Sequence, residues 1–328
     1  MTCDLNRSED QRQILDTAAA MLEAQYPVSR LRRRDPDDLS GLAAFGALGL
    51  ALPEAQGGAG FSLVEEALLH VLLGRHVVST RVLAAAVGAR LLTSTGDGLA
   101  FEVIAGGTAV CAAIPVGGEM LLVDRSSASL ALVFDNRRLA LVEIGDAAGR
   151  QETGLGRSIP VERLGAGSGR TVATSSDDGL LDVADLMISA QLLGIAEGAR
   201  DLTVAYARMR HQFGQPIGGF QAVKHHCANM AIAAETVSAQ LDMAALAGRD
   251  GRDDASFQIA ALRRLATAAA LGNVRTAIQV HGGIGFSAEA DVHHYLKQAH
   301  LLSRLGQPAD LLALPAPLAP HTSLSERD

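Results

Sequence analysis

Between residues 183 and 304 apolar side chains recur at steps of three or four in four successive runs, and this periodicity constrains the fold more than any other feature of the chain. In the first run Leu192, Ile195, Ala199, Leu202, Tyr206 and Met209 make one stripe, and in the second Val223, Cys227, Met230, Ala234, Val237, Leu241 and Ala244 make another. A third, alanine-rich run starts after the capping residues Asp253 and Asp254 and stops at Gly282-Gly283. The fourth covers about Ala288 to Arg304. Each stripe must be buried, and short connections make consecutive helices neighbours, so the pattern predicts an antiparallel four-helix bundle.

Upstream, helices are predicted over Asp10–Glu23, Leu39–Leu50, Leu63–Leu73 and Thr80–Leu92, with P-E-A-Q-G-G-A-G as the turn between the second and third. From about Phe101 the pattern changes to short β-like runs, T-A-V-C-A-A-I, E-M-L-L-V-D, L-A-L-V-F, L-A-L-V-E-I and R-T-V-A-T-S, separated by Gly, Asp, Asn and Ser. The expected fold class is α+β, mostly α: an N-terminal helical domain (1–98), a small middle β domain (99–182), the four-helix bundle (183–306) and an irregular tail (307–328).

A length of 328 residues with 48% hydrophobic content suffices for a large core. A net charge of -8 argues against nucleic-acid partners, which select a basic stripe over a whole domain. Cys3, Cys111 and Cys227 are odd in number and lack a C-x-x-C, so neither a disulfide framework nor zinc is expected. No run reads as a bilayer span or a signal core, so the expectation is a soluble, cytoplasmic protein with no membrane contact.

Two motifs are set aside. Gly283-Ile-Gly285-Phe-Ser-Ala288 matches G-x-G-x-x-A formally, but a helix precedes it where a dinucleotide fingerprint needs a strand. His281, His293, His294 and His300 have no carboxylate or thiol spaced to complete a metal site; they are expected to be solvated or capping, with His281 favoured near a helix C-terminus.

The most informative stretch is R-M-R-H-Q-F-G-Q-P-I-G-G-F-Q-A-V-K-H-H-C-A-N-M, residues 208–230, a local basic patch in an acidic chain. It resembles the R-x-x-F-G-x-x-I followed by F/H-Q-A-V/I of the acyl-CoA dehydrogenase family. L-G-L-A-L-P-E-A-Q-G-G-A-G-F-S and Q-V-H-G-G-I-G-F are similar to two further motifs of that family, in the same order, and the resemblance covers nearly the whole chain. It implies the acyl-CoA dehydrogenase fold and an FAD held across a subunit interface, with Arg210 on the pyrophosphate. It further places Gln212 and Phe213 beside that group, Ile217, Phe220, Gln221 and Val223 along the adenine, and Gln279, Gly282 and Gly283 over the ADP part. His225 and His226 remain surface residues.

The departures from the family pattern fall on the chemistry. The catalytic Glu position, nine residues after the Arg of an R-D-A triplet, is Gly306 here, the triplet reading Lys297-Gln298-Ala299. The alternative position, 26 residues before Arg210, is Ala184, and the usual CoA-contacting Arg after it is Asp185. The flavin-facing T-E-P-x-x-G-S-D is replaced by A-A-I-P-V-G-G-E, residues 112–119. α,β-Dehydrogenation of an acyl-CoA needs a carboxylate for the α-proton, commonly worth about 10² to 10⁴ in rate. The resemblance, closest in kind to the short subunits of actinobacterial steroid catabolism, therefore implies one chain of an α2β2 enzyme whose acyl-CoA dehydrogenase-like partner carries the base and most of the acyl-CoA pocket. Two alternatives stand beside it: a self-sufficient flavoenzyme using Asp185 or Glu289 as base, and a cofactor-free scaffold or regulatory subunit.

Overall fold

The computed structural model describes residues 8–33, 37–152, 159–165, 167–311 and 313–314. The chain enters α1 (Glu9–Gln25) through a capping box between Ser8 and Gln11, in which each side chain accepts a hydrogen bond from the other residue's backbone N–H. A 3-10 turn (Val28–Arg32), α2 (Ser40–Ala44), α3 (Leu63–Arg75), α4 (Arg81–Thr95) and α5 (Leu99–Ile104) follow. Two expectations need correction here. Only Ser40–Ala44 of the stretch Leu39–Leu50 is helical, because the chain turns out at Gly46, whose φ is 84°. The change to β-like runs, expected from about Phe101, comes later, because Leu99–Ile104 is still helical: Ala100, Val103 and Ile104 are buried and Phe101 is exposed, a helical spacing.

The strands are β1 (Val110–Val116), β2 (Glu119–Val123), β3 (Leu130–Asp135), β4 (Arg138–Glu143), β5 (Arg150–Glu152), β6 (Val161–Leu164) and β7 (Arg170–Ser175). They form one mixed sheet in the order β5-β6-β2-β1-β3-β4-β7, parallel only between β1 and β3. β5 and β6 were not anticipated; R-Q-E and V-E-R-L are too short and polar to stand out as strands. Alternation divides the sheet into two faces. Ala112, Leu130, Leu132, Leu139 and Leu141 join the helical core, while Cys111, Ala113, Leu122, Ala131 and Val133 close a smaller core on the other side. Both described cysteines, Cys111 and Cys227, are free.

The four periodic runs become α6 (Asp178–Met209), α7 (Gln221–Arg249), α8 (Ala255–His281) and α9 (Val292–Leu302). Asp177, which the sequence did not single out, caps α6 by accepting from Leu180 N–H, whereas Asp254 sits at the α8 N-cap without a side-chain capping bond and pairs with Arg252 instead. α6 is also long and apolar enough by composition to cross a membrane, which the sequence reading did not anticipate; 83% of its apolar window is buried within the protein. α3 packs on α6 almost backbone to backbone. A Cβ on Gly194 would lie 1.9 Å from the Val71 carbonyl oxygen, and one on Gly74 would lie 2.1 Å from that of Gln191.

Gly194→Ala should therefore destabilise the protein by about 1–3 kcal/mol or more, by forcing two helices apart. Gly272→Ala on α8, where an added Cβ meets nothing within 4 Å, should be neutral or stabilise by up to about 1 kcal/mol. Urea unfolding of the two variants checks this, and equal stabilities would contradict the close α3–α6 contact.

Candidate functional site

α6 stops at Met209 because the next residue, Arg210, turns to an extended conformation while its N–H still donates to Tyr206 O at 2.9 Å. The Arg210 carbonyl accepts from Ile217 N–H at 2.8 Å, closing a small hairpin of β8 (His211–Gln212) and β9 (Gln215–Pro216). Phe213 and Gly214 form the tip with φ of 52° and 82°, the signs a two-residue primed turn requires. A phenylalanine in the left-handed region is an outlier, and this one is 91% exposed, its ring edge-on to that of Phe220 with centroids 6.2 Å apart. Sequence reasoning missed the hairpin, although F-G between flanking glutamines was a signal for it.

The same end of the bundle receives the C-terminus of α8. His281 stacks on Tyr206 with centroids 4.3 Å apart, and its Nδ1 lies 2.7 Å from Ala277 O. Burial pushes its pKa down, so the expectation of a solvated or charge-compensating His281 is corrected: a buried neutral ring fits a packing contact between two helix ends. His294 is buried as well, held down to about 4, with its ring 4.0 Å from that of His293. Among the described residues no group of His, Cys, Asp and Glu could hold a metal.

Tyr206 lies one turn before Arg210, and His281 adjoins Gly282, so the stack brings the two predicted segments together. Arg210, Gln212, Gln221, Gln279, Gly282 and Gly283 are exposed there, and Ile217, Phe220 and Val223 are half-buried. The Gln212 amide donates to His211 O, and the Arg210 guanidinium makes no hydrogen bond or ion pair among the described residues. The N-terminus of α7, a helix of 29 residues, has no side-chain cap, and Cβ atoms added at Gly282 and Gly283 would meet nothing within 4 Å. An uncommitted guanidinium, uncapped helix N–H groups and open glycines together suit an anionic phosphate group. His225 and His226 are exposed, as expected.

The positions that would carry base chemistry lie elsewhere. Asp185 is about 37 Å along α6 from Arg210. It is buried, 3.7 Å from Arg263, whose Nη2 donates to the Leu302 and Leu305 carbonyls at 3.0 and 2.8 Å. This pairing ties α6 to α8 and to the end of α9; Arg263 was missed because nothing in an alanine-rich helix marks one Arg as buried. Gly306 follows at φ 68°, a conformation that disfavours a side chain, and the next residue, Gln307, donates its N–H to Asn136 O. Ala184 is buried. Glu289 is exposed on the connection before α9. The segment A-A-I-P-V-G-G-E makes the end of β1, a two-residue turn at Gly117-Gly118 and the start of β2, with Glu119 bound to Arg163 at 3.1 Å.

The mixed sheet packs against α4, the four-helix bundle packs against α3, and one end of that bundle suits an anion. Family profiles agree: the acyl-CoA dehydrogenase N-terminal domain matches residues 8–97 and the C-terminal domain residues 168–306. The chain is 30% identical to the acyl-CoA dehydrogenase IpdE2 of Mycolicibacterium smegmatis, over 93% of this chain and 97% of that one. It belongs to the acyl-CoA dehydrogenase family. Among solved structures, a chain of the Tcur3481-Tcur3483 steroid ACAD superposes with a TM-score of 0.77 at 26% identity, covering 93% of this chain and 96% of that one. A chain of the ChsE4-ChsE5 complex from Mycobacterium tuberculosis shares the fold, with a TM-score of 0.75 at 23% identity over 92% and 94%.

Burial raises the Asp185 carboxyl to about 6, an effect that Arg263 only partly offsets. In the unfolded chain an Asp titrates near 3.9, so the native state binds this proton more tightly. That contribution to stability is fully present below about pH 4 and is lost as the pH rises to about 6. Stability relative to Asp185→Asn, measured by urea titration, should accordingly fall between pH 4 and 7; a pH-independent difference would contradict the assignment.

Proposed function

We propose that this chain is one subunit of a heteromeric, FAD-dependent acyl-CoA dehydrogenase, and that its bundle end supplies the ADP-binding half of a flavin site shared with an unlike partner. The observation that carries this reading is an asymmetry within the one chain. The anion-ready end around Arg210 is intact and uncommitted, while the family's base positions hold Gly306 and a buried Ala184, next to an Asp185 engaged with Arg263. Names of relatives support the same class: ChsE4-ChsE5 is a complex of two chains, and Tcur3481-Tcur3483 is called a steroid ACAD. A steroid-derived acyl-CoA is accordingly the substrate class we favour, with α2β2 stoichiometry and a cytoplasmic location.

The residues present fit the cofactor. Arg210 would hold the pyrophosphate with paired, charge-assisted N–H bonds, and the α7 N-terminus would add backbone donors. Gln212 and Phe213 would flank it, Ile217, Phe220, Gln221 and Val223 would line the adenine, and Gln279, Gly282 and Gly283 would cover the ADP part. Bound FAD supplies the hydride acceptor for α,β-dehydrogenation. This chain's share is to bind and orient that cofactor from its ADP end. Removal of the α-proton falls to a carboxylate of the partner, since Asp185 is enclosed and Glu289 is on an exposed connection before α9.

The exposed apolar side chains around this end suit an interface. Met209, Phe213 and Phe286 are 72%, 91% and 82% exposed, more than a free surface favours.

Arg210→Ala in the co-expressed complex should weaken FAD binding by about ten- to a hundredfold, the value of hydrogen bonds to a charged group, while leaving the subunits assembled. Flavin absorbance of the purified complex reads this directly. Unchanged flavin content would favour the cofactor-free scaffold, and a yellow, active oligomer of this chain alone would overturn the half-site reading.

A further inference from the structure

A cleft of about 640 Å³ opens between α2, the first turn of α4 and the start of β1. It lies at the Val110 end of β1, about 20 Å along the strand from the Val116–Glu119 turn and therefore away from the segment that replaces the flavin-facing motif. Its volume is within the range of small-molecule pockets. Leu39, Leu48, Ala85 and Val110 give it an apolar floor; Asp38, Thr108, Ser126 and Ser127 stand on its rim.

The charges around the cleft are unevenly committed. Asp37 accepts two bonds from Arg30 at 2.7 and 2.8 Å and one from Ser79 N–H at 2.9 Å. Arg81 bonds to the Asp37 carbonyl and lies 3.5 Å from Asp124. Among the described residues the Asp38 carboxylate, in contrast, accepts only from the N–H and hydroxyl of Ser40, at 2.9 and 3.0 Å, and these bonds lower its pKa and keep it ionised. Among the described residues the side chains of Thr108, Ser126 and Ser127 bond to no other protein group. Among the described residues the rim thus offers a carboxylate and three hydroxyls that can donate or accept, and the one cation lining the cleft, Arg81, is committed. A ligand with phosphates or a carboxylate would meet a like charge, and a purely apolar one would leave the rim's acceptors unmatched.

We propose that this cleft is a second ligand site, separate from the ADP half-site, and that it takes a compact apolar molecule carrying a hydroxyl or ammonium donor. Asp38 receives the donor, and the floor beneath α4 buries the apolar body. The CoA portion of a substrate does not enter here.

Three probes of one shape separate the possibilities: cyclohexylmethanol, cyclohexylmethylammonium and cyclohexanecarboxylate, titrated into the full-length chain and followed by ligand-observed NMR. Saturable binding of the alcohol and the ammonium is expected, with the carboxylate weaker by about tenfold or more. Ala44 is exposed on the cleft wall, so Ala44→Trp should block both binders without disturbing the fold. Asp38→Asn should narrow the gap between the carboxylate and the other two. Absence of saturable binding, equal binding of all three heads, or binding undiminished in Ala44→Trp would overturn the proposal.

Discussion

Tyr206 stacked on His281 is the contact on which the rest of the site depends. It joins the last turns of α6 and α8, and both segments singled out for an anion begin within one turn of it. The backbone of Arg210 is then fixed from two sides, by Tyr206 O before it and Ile217 N–H after it, so only the guanidinium is left to move. Orientation is settled before any ligand arrives, which reduces the ordering cost of binding. The buried, neutral state of His281 belongs to this role, since a charged ring in that place would lose solvation without a partner.

At the far end of α6 the structure makes the opposite choice. Asp185 and Arg263 form a buried pair whose guanidinium holds the carbonyls of Leu302 and Leu305, immediately before Gly306. The positions where the resemblance to the family leads one to look for a base and a CoA contact hold a tie between helices and a glycine at positive φ. One end of the molecule is arranged to bind and the other to hold itself together. Such a division suits a chain that completes a site on another polypeptide.

Much of this could be read in the sequence, and the parts that could not have physical reasons. The bundle was legible because a stripe of seven apolar residues over six turns has one interpretation, whereas Arg210 was marked by the resemblance of its motif to that of the family. The helix expected over Leu39–Leu50 ends early and the β-like runs start later than Phe101, because the ends of short apolar runs rest on turns such as Gly46. β5 and β6 are polar strands recruited by their neighbours rather than by their own pattern. The burial of His281, His294 and Arg263 was invisible, because whether a polar residue faces in or out is decided by helices distant in sequence. The order of helical layer, sheet and bundle, by contrast, follows from the pattern alone.

A structure of the co-purified heteromeric complex with FAD bound tests the central claim most directly. The account predicts a pyrophosphate oxygen within about 3 Å of the Arg210 guanidinium, with the flavin ring seated against the unlike chain. A flavin whose ring and pyrophosphate are both held by a single chain, with Arg210 facing solvent, would contradict it.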